Sequence, residues 1–376
     1  MKVNRTEMFY KLSNPIERKT KTMKLILHIG MPKTGSSAIQ ETLTLYRHHL
    51  ITHGILYPNN PAPFSKQNQH WIAVPMLCNG DSDKWKNFPS GEKKIRESFG
   101  VNFDYYEYWI SDLKRQITEV NPHTVILSEE RFFQAFANSD STIHLNFNTF
   151  LSRLDFSISN VEMIGYVRNP ADYYLSMCQQ HLKLYSNLKG FGSANYIRKL
   201  KTISESYRPQ FKLYEFDRNY FPGGDIVRHL TKNLFDFELT SKGSPNETVS
   251  GPAMRVLQDC WSLILADESS RVTSQQSKSL LTAIRAAEKK RSFTKPVLKE
   301  NVRSLILTSM AMDLKWLYEN YEIDFDRSRH KENLTANVSE ISFKPKNVNE
   351  IIEIDAEASY SLLLEVLGKK NGNLFV

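Results

Sequence analysis

The stretch from Lys24 to Leu43, KLILHIGMPKTGSSAIQETL, most constrains the fold, because its hydrophobic pattern changes across a short turn. Lys24–Ile29 is a short run of leucine and isoleucine that is typical of a buried strand. Gly30 and Gly35 bound a tight turn, and apolar residues at spacings of three and four then predict a helix from Ser36. This order of elements predicts an anion site, because unpaired N–H groups and the helix dipole both face the turn.

The lysine of this turn does not lie where a nucleoside triphosphate loop requires it. In the ATP and GTP loop, GxxxxGK[ST], the lysine directly follows the second glycine. Gly30 and Gly35 keep the glycine spacing, but Ser36 takes the place of that lysine and Lys33 lies inside the turn. A nucleotide kinase or NTPase is therefore disfavoured, although it stays an alternative.

The composition is that of a soluble globular chain. The 376 residues are 40% hydrophobic and 24% charged, which allows a substantial core and excludes disorder of the whole chain. The formal net charge of +8 suits anionic ligands such as a nucleotide, an acidic glycan, a membrane surface or a nucleic acid. Charge alone does not choose among these.

Strand patterns recur along the first two thirds of the chain. Thr124–Leu127, Val161–Val167 and the segment 210–216 are short and apolar, and segments with helical spacing separate them. Alternating strands and helices predict a parallel sheet with helical crossovers. After Gly251 the strand signal ends, and the segments 254–266, 275–291, 302–321 and 356–367 have helical spacing.

These patterns predict three regions. Residues 1–22 are basic, lack an apolar core of signal-peptide length and are expected to form a flexible tail. Residues 23–245 are expected to form the α/β domain, with an insertion near 60–120. Residues 246–376 are expected to form a mainly helical C-terminal extension that packs on the same domain.

A second candidate anion site follows the strand Val161–Val167, in the segment GYVRNPADYYLSMCQQ. Arg168 supplies a planar, permanently charged donor fork that suits phosphate. Ser176 lies eight residues later, about two turns into the next predicted helix. Because ligands of parallel sheets bind at the carboxyl ends of the strands, Arg168 and Lys33 are expected at the same edge. The alternative is an Arg168 that pairs with Asp172, beside a capping Asn169.

These two segments resemble those of sulfotransferases that use 3'-phosphoadenosine 5'-phosphosulfate (PAPS). The sequence PKTGSS is similar to their 5'-phosphosulfate loop, PKSGTT or PRSGTT, and RNPxxxxxS is similar to their 3'-phosphate segment. The resemblance implies that Lys33 reaches the bridging oxygen at which charge develops. It also implies a set of PAPS-binding residues: Pro32, Lys33, Thr34, Gly35, Ser36, Ser37, Arg168 and Ser176.

The resemblance covers about residues 24–234 and implies a P-loop three-layer α/β fold with a central parallel sheet flanked by helices. The pattern is similar to that of bacterial sulfotransferase-like proteins associated with surface glycans. It implies transfer of a sulfuryl group from PAPS to a hydroxyl or amine of a carbohydrate, with no metal required. Ala38 replaces the tryptophan of cytosolic small-molecule sulfotransferases, which argues against phenol or steroid acceptors.

Three residues are candidates for the base that activates the acceptor. Glu130 is the first candidate, because it follows the strand Thr124–Leu127 and matches, with Ser128, a Ser-x-Glu of the resembling family. Glu129 is its neighbour, and a helix N-terminus would also explain both acids without catalysis. His70 is the rival, because it follows a loop beside an aromatic residue, although a lone histidine is more often structural.

The remaining expectations concern partners and location. A non-catalytic protein that binds 3'-phosphoadenosine 5'-phosphate (PAP) or a phosphorylated partner is the alternative from another class, and nucleic-acid binding is disfavoured. Cys78, Cys178 and Cys260 have no zinc-site spacing and are expected to be free thiols in a reducing compartment. No apolar run is long enough to span a membrane, so a cytoplasmic enzyme is expected. The acceptor and the oligomeric state stay open.

Overall fold

The computed structural model describes most of the chain after residue 22. The described residues are 23–60, 70, 72–79, 81, 97, 100, 104–137, 141–192, 195–242, 248–265, 267, 270–291, 293–325 and 343–368. The predicted tail, 1–22, and much of the predicted insertion, including most of the excursion 79–100, therefore lie outside the described residues.

A five-stranded, entirely parallel sheet forms the centre of the fold. The strands lie in the order β2-β3-β1-β4-β5. Their bounds are β1 Lys24–Ile29, β2 Ile55–Leu56, β3 Thr124–Glu129, β4 Val161–Val167 and β5 Phe211–Glu215. The predicted α/β class is thus confirmed, while the P-loop type stays a prediction.

Helices follow the strands and form the C-terminal third of the described chain. Those up to β5 are α1 Ser36–Leu45, α2 Arg47–Thr52, α3 Ala73–Leu77, α4 Tyr105–Val120, α5 Arg131–Phe136, α6 Ser141–Arg153, α7 Pro170–Leu182 and α8 Asn195–Tyr207. Those after it are α9 Ile226–Leu234, α10 Gly251–Ile264, α11 Ser274–Glu288, α12 Glu300–Ser309, α13 Ala311–Tyr321 and α14 Ala356–Gly368.

Both faces of the sheet are covered, because successive strand side chains point to opposite faces. Ile26 of β1 packs with Ile39 and Leu43 of α1 and with residues of α9 on one face. Leu25 and Leu27 of β1 pack with the larger cluster on the other face, which includes α4, α6, α7 and the C-terminal helices. This gives helices, sheet and helices in three layers.

The strand order reverses around β1. The chain enters β3 on one side of β1 and then crosses to β4 on the other side. The helix after β1 packs on one face and the helix after β4 packs on the opposite face. A crevice therefore opens between the ends of β1 and β4, which is where ligands of open parallel sheets bind.

Most predicted elements are confirmed close to their expected bounds, and three differences were found. The predicted segment 302–321 is two helices, because the chain breaks at Met310 between α12 and α13. Ser128 does not begin a helix, since it lies within β3 and α5 starts at Arg131. The helix α8 was not predicted.

The C-terminal helices pack against α7. The indole Nε1 of Trp261 in α10 donates to the carbonyl of Leu182 at 2.9 Å. Arg303 of α12 forms a salt bridge with Asp172 in the first turn of α7 at 3.0 Å. The helices after residue 246 thus hold the helix that carries Ser176. In the part of the chain that the structure describes, no helix is long and apolar enough to cross a membrane.

Candidate functional site

Positive φ angles and the close packing of Ser36 and Glu130 against Gly30 fix the conformation of the turn between β1 and α1. Lys33 and Gly35 have positive φ angles of 67° and 80°. A Cβ on Gly30 would lie 2.7 Å from Oγ of Ser36 and 2.9 Å from Cγ of Glu130, so only glycine fits there. Thr34 is fully buried, and its hydroxyl donates to the carbonyl of Met31 at 2.6 Å.

The start of α1 presents donors toward this turn. Gly35 is the N-cap of α1 and has no side chain to cap the first amides, so the N–H groups of Ser36 and Ser37 lie at an uncapped helix end. The hydroxyl of Ser36 is buried and has no hydrogen-bond partner among the described residues. A buried hydroxyl without a partner is costly unless a ligand satisfies it. These groups suit an anion such as a phosphate.

The end of β4 brings Arg168 to the same turn. Its Nη1 donates to the carbonyl of Lys33 at 3.3 Å, and its guanidinium lies 5.5 Å from the ring centre of Phe216. Burial lowers the pKa of Arg168 from its usual value. Asn169 caps α7 by accepting from the amide of Ala171 at 3.0 Å. The helix cap that belonged to the alternative interpretation is therefore present. Asp172, the partner of Arg168 in that alternative, forms its salt bridge with Arg303, although its charge also raises the pKa of Arg168.

An open cleft of about 1180 Å³ joins these elements. Four residues that the sequence predicted line it: Lys33, Gly35, Arg168 and Ser176. Thr34 and Ser36 are buried behind the cleft wall, whereas Pro32 and Ser37 are half-buried. The structure thus brings the two predicted anion segments to one cleft, as expected from strand ends that share an edge.

Lys33, which lines this cleft, interacts electrostatically with Glu130 in the turn after β3. Burial is the largest influence on both, since it lowers the pKa of Lys33 and raises the pKa of Glu130. Each charge opposes the effect of burial on the other, and Arg168 further lowers the pKa of Lys33. A carboxylate with a raised pKa is a stronger base than usual, which suits proton abstraction.

The neighbouring Glu129 has another role. It is 1% exposed, and its Oε2 accepts from the amides of Ile72 and Ala73 at 2.7 and 2.8 Å. These amides begin α3, so Glu129 anchors the segment that precedes and forms this helix. Burial raises the pKa of Glu129 to about 7. Its carboxylate is already used by the fold, which favours Glu130 as the base.

His70 also has a structural role, and the position found for it argues against catalysis. The ring is fully buried, its Nδ1 accepts from the amide of Ser128 at 2.9 Å, and its Nε2 donates to the carbonyl of Pro58 at 3.1 Å. Burial lowers its pKa to about 3, so the ring is neutral. Both nitrogens are engaged with the backbone, and neither is available to an acceptor. The sequence could not show this, because His70 meets these groups only through tertiary contacts.

Sequence reasoning missed several residues that line the cleft. Lys183 caps the end of α7, seven residues after Ser176, and Phe216 follows β5. The spacing of Ser176 and Lys183 on one helix face was the signal that could have identified Lys183. Lys295 and Arg303 come from the C-terminal region and left no local signal.

The thiols and the possible metal ligands give no further site. Cys78, Cys178 and Cys260 are buried, and no disulfide joins these described residues, as expected. Among the residues described, no group of three or more His, Cys, Asp or Glu could hold a metal ion.

Comparison with known proteins adds no relative. The chain matches no protein-family model, and no curated protein matches it significantly. The resemblance to sulfotransferases therefore rests on the two motifs, and the function is argued from the site.

Proposed function

We propose that this protein is a sulfotransferase that moves a sulfuryl group from PAPS to a hydroxyl or amine of a carbohydrate. One observation carries the proposal: the two segments that resemble the 5'- and 3'-phosphate sites meet at one cleft, where Arg168 donates to the carbonyl of Lys33 at 3.3 Å. A single phosphate would need only one of these segments. Two separate anion sites suit a nucleotide with phosphates on both its 5' and 3' positions.

The residues present fit such a ligand. The buried hydroxyl of Ser36 and the uncapped start of α1 would hold the 5'-phosphate. Arg168 and Ser176 would hold the 3'-phosphate, since both line the cleft. The ring of Phe216 beneath the guanidinium keeps Arg168 on the cleft side.

Lys33 and Glu130 would carry the chemistry. PAPS supplies a sulfuryl group joined to its 5'-phosphate. Glu130, whose pKa burial raises, would take the proton from the acceptor hydroxyl. Lys33 would place its ammonium where negative charge develops as the bond to the phosphate breaks. The Coulomb interaction between these two side chains opposes the effect of burial on the pKa of each.

The first experiment compares nucleotides by thermal shift and then measures transfer of labelled sulfate from PAPS to a panel of glycans. We expect PAP to stabilise the protein more than ATP or AMP does. Lys33→Ala and Glu130→Gln are expected to lower transfer by about 100-fold or more, because each removes a group that acts on the reacting atoms. Lys232→Ala, an exposed position on α9, is the matched control and should retain full activity.

The outcomes separate the candidate functions. Binding of PAP without transfer to any glycan would favour a non-catalytic nucleotide-binding protein. Stabilisation by ATP but not by PAP, together with magnesium-dependent hydrolysis, would overturn the proposal in favour of an NTPase. Robust turnover by Lys33→Ala would remove the assigned role of that lysine.

A further inference from the structure

The cleft extends past the two anion segments, along α7, to Lys183. This residue follows Ser176 by seven positions, so both lie on the same face of the helix, about 10 Å apart along its axis. Gln179 and Gln180 line the cleft between them. Lys183 is half-buried, and its ammonium donates to Oε1 of Gln180 at 3.3 Å.

The charged groups that influence Lys183 are cations. Burial lowers the pKa of Lys183 most, and the charges of Lys33 in the turn and Arg285 in α11 lower it further, to about 8. Within the described part of the chain, no carboxylate forms a salt bridge with Lys183. Four acids that line the same cleft have other partners. Asp172 of α7 pairs with Arg303, and Glu300 of α12 accepts from the hydroxyl of Ser304. Asp217 accepts from the amide of Asn219, and Asp225 accepts from the amide of Val227.

A half-buried cation among other cations is unfavourable unless an anion joins it. Structural lysines normally have a carboxylate or extend into solvent. Lys183 instead lines a cleft to which Lys33, Arg168 and Lys295 add further positive charge. The arrangement has the properties of an anion subsite.

The cleft is large enough for a second ligand beside a nucleotide. Its volume of about 1180 Å³ exceeds the 300–1,000 Å³ or so that is usual for one ligand pocket. Lys183 lies close enough to Lys33, the proposed point of transfer, for their charges to interact. A group held at Lys183 would therefore belong to the acceptor bound next to that point.

We propose that Lys183 binds an anionic substituent, a carboxylate or an ester sulfate, of the acceptor saccharide. This rests on the proposed transfer function, and it narrows the acceptor to acidic sugars. The ammonium would pair with the anion through charge-assisted hydrogen bonds. Lys183 would select the acceptor and take no part in holding the nucleotide.

The test measures binding of three matched saccharides with and without PAP: a uronic-acid oligosaccharide, its carboxyl-reduced counterpart, and a sulfated counterpart of the latter. We expect wild-type protein to bind one or both acidic forms more tightly than the neutral form. Lys183→Gln should weaken acidic binding by about tenfold while leaving PAP binding and neutral binding unchanged. Lys232→Gln is the control for loss of an exposed positive charge.

A second readout uses pH. Because the pKa of Lys183 is about 8, its charge is lost as pH rises through that value, and acidic binding should weaken there. Lys183→Arg keeps the positive charge at higher pH, because arginine does not deprotonate in this range. This variant should therefore still bind acidic saccharides above about pH 8. Lys33 and Arg285, whose charges act on Lys183, are unchanged in this variant, as are Lys295, Glu300 and Arg303, which line the same cleft.

Several results would overturn the inference. They are equal affinity of wild type for acidic and neutral saccharides, absence of acidic binding at any PAP concentration, and unchanged acidic binding in Lys183→Gln. Loss of PAP binding in Lys183→Gln would instead place Lys183 in the nucleotide site and would also overturn it. If PAP does not bind wild-type protein, that result contradicts the proposed sulfotransferase function. The inference about Lys183 is still tested in that case, because saccharide binding is also measured without PAP.

Discussion

Glu129 and Glu130 are adjacent in the chain, but their carboxylates face different surroundings. The end of β3 explains this, because Glu129 is the last residue of the strand, whereas Glu130 lies in the turn before α5 and has helical φ and ψ angles. Glu129 therefore reaches the amides of α3, while Glu130 approaches the turn after β1. The sequence predicted that one of them is the base, but only the facing elements show which carboxylate is free to act.

The titration of Glu129 predicts a pH dependence of stability. Its pKa is about 7 in the folded protein and 4.5 in a model peptide, so the native state binds more protons than the unfolded state between these values. Stability should therefore fall as pH rises from about 4.5 to 7, by roughly 3 kcal/mol at most from this residue. Urea unfolding at several pH values measures this.

Glu129→Gln is the matched variant, because its side-chain oxygen still accepts from the α3 amides but does not titrate. We expect it to flatten the pH dependence over this interval. Glu129→Ala removes the acceptor and should destabilise the protein at every pH, since two buried amides lose their partner. A pH profile that Glu129→Gln leaves unchanged would contradict the assigned pKa.

The candidate site was predictable at the residue scale wherever a motif defined it. Lys33, Arg168 and Ser176 were expected together and lie along one cleft. His70 was kept as a rival base and Lys183 was not singled out, because the surroundings of both depend on contacts with distant segments. The local sequence pattern does not show which distant residues a side chain will contact in the folded protein.

At the scale of elements, the turn between β1 and α1 depends on two glycines for different reasons. Gly30 has no room for a Cβ, because Ser36 and Glu130 approach it. Gly35 has a φ of 80°, and its Cβ would lie 3.2 Å from the side chain of Ile226. The conformation that exposes the start of α1 thus depends on both positions.

Gly30→Ala should therefore reduce the free energy of PAP binding by more than it reduces the free energy of unfolding. The added methyl group must displace Ser36 or Glu130, both of which are in the proposed site. Gly35→Ala should also cost about 1 kcal/mol of stability through its positive φ. Gly192→Ala is the control, since no heavy atom lies within 4 Å of its added Cβ. Nucleotide titration followed by thermal shift measures both effects, and unchanged PAP affinity in Gly30→Ala would contradict the site.

Element prediction succeeded where hydrophobic periodicity was accompanied by clear end signals. The bounds of β1 and β4 matched because buried strands end at Gly30 and at Arg168-Asn169-Pro170. The break at Met310 was missed, because apolar spacing continues through it and no glycine or proline marks it. In α8, buried Ile197, Leu200, Ile203 and Tyr207 do show helical spacing, so the signal was present and was not used.

At the scale of the molecule, the C-terminal helices and the sheet belong to one packed core. Residues of β1, α7 and α10 share a single cluster of buried apolar side chains. The sequence predicted this packing only in outline, because helical spacing identifies an apolar face but not its partner. Trp261 supplies the specific contact, since it is 2% exposed and donates to Leu182.

Trp261→Ala should lower the free energy of unfolding by about 3–5 kcal/mol, because it opens a cavity between α7 and α10. Trp261→Phe should cost less, about 1–2 kcal/mol, since it mainly loses the hydrogen bond to Leu182. Both should shift one cooperative transition, followed by circular dichroism during urea unfolding. Two separate transitions, of which only one responds to the substitution, would show that the C-terminal helices unfold independently.

The pairing of β1 with β4 has a consequence for ligand choice. The two anion segments leave adjacent strands, which backbone hydrogen bonds hold about 4.8 Å apart with Ile29 opposite Gly165. The sheet therefore sets the distance between the two strand ends. Substitutions in either loop change how strongly each end binds, but the distance that a doubly charged ligand must match stays fixed by the backbone.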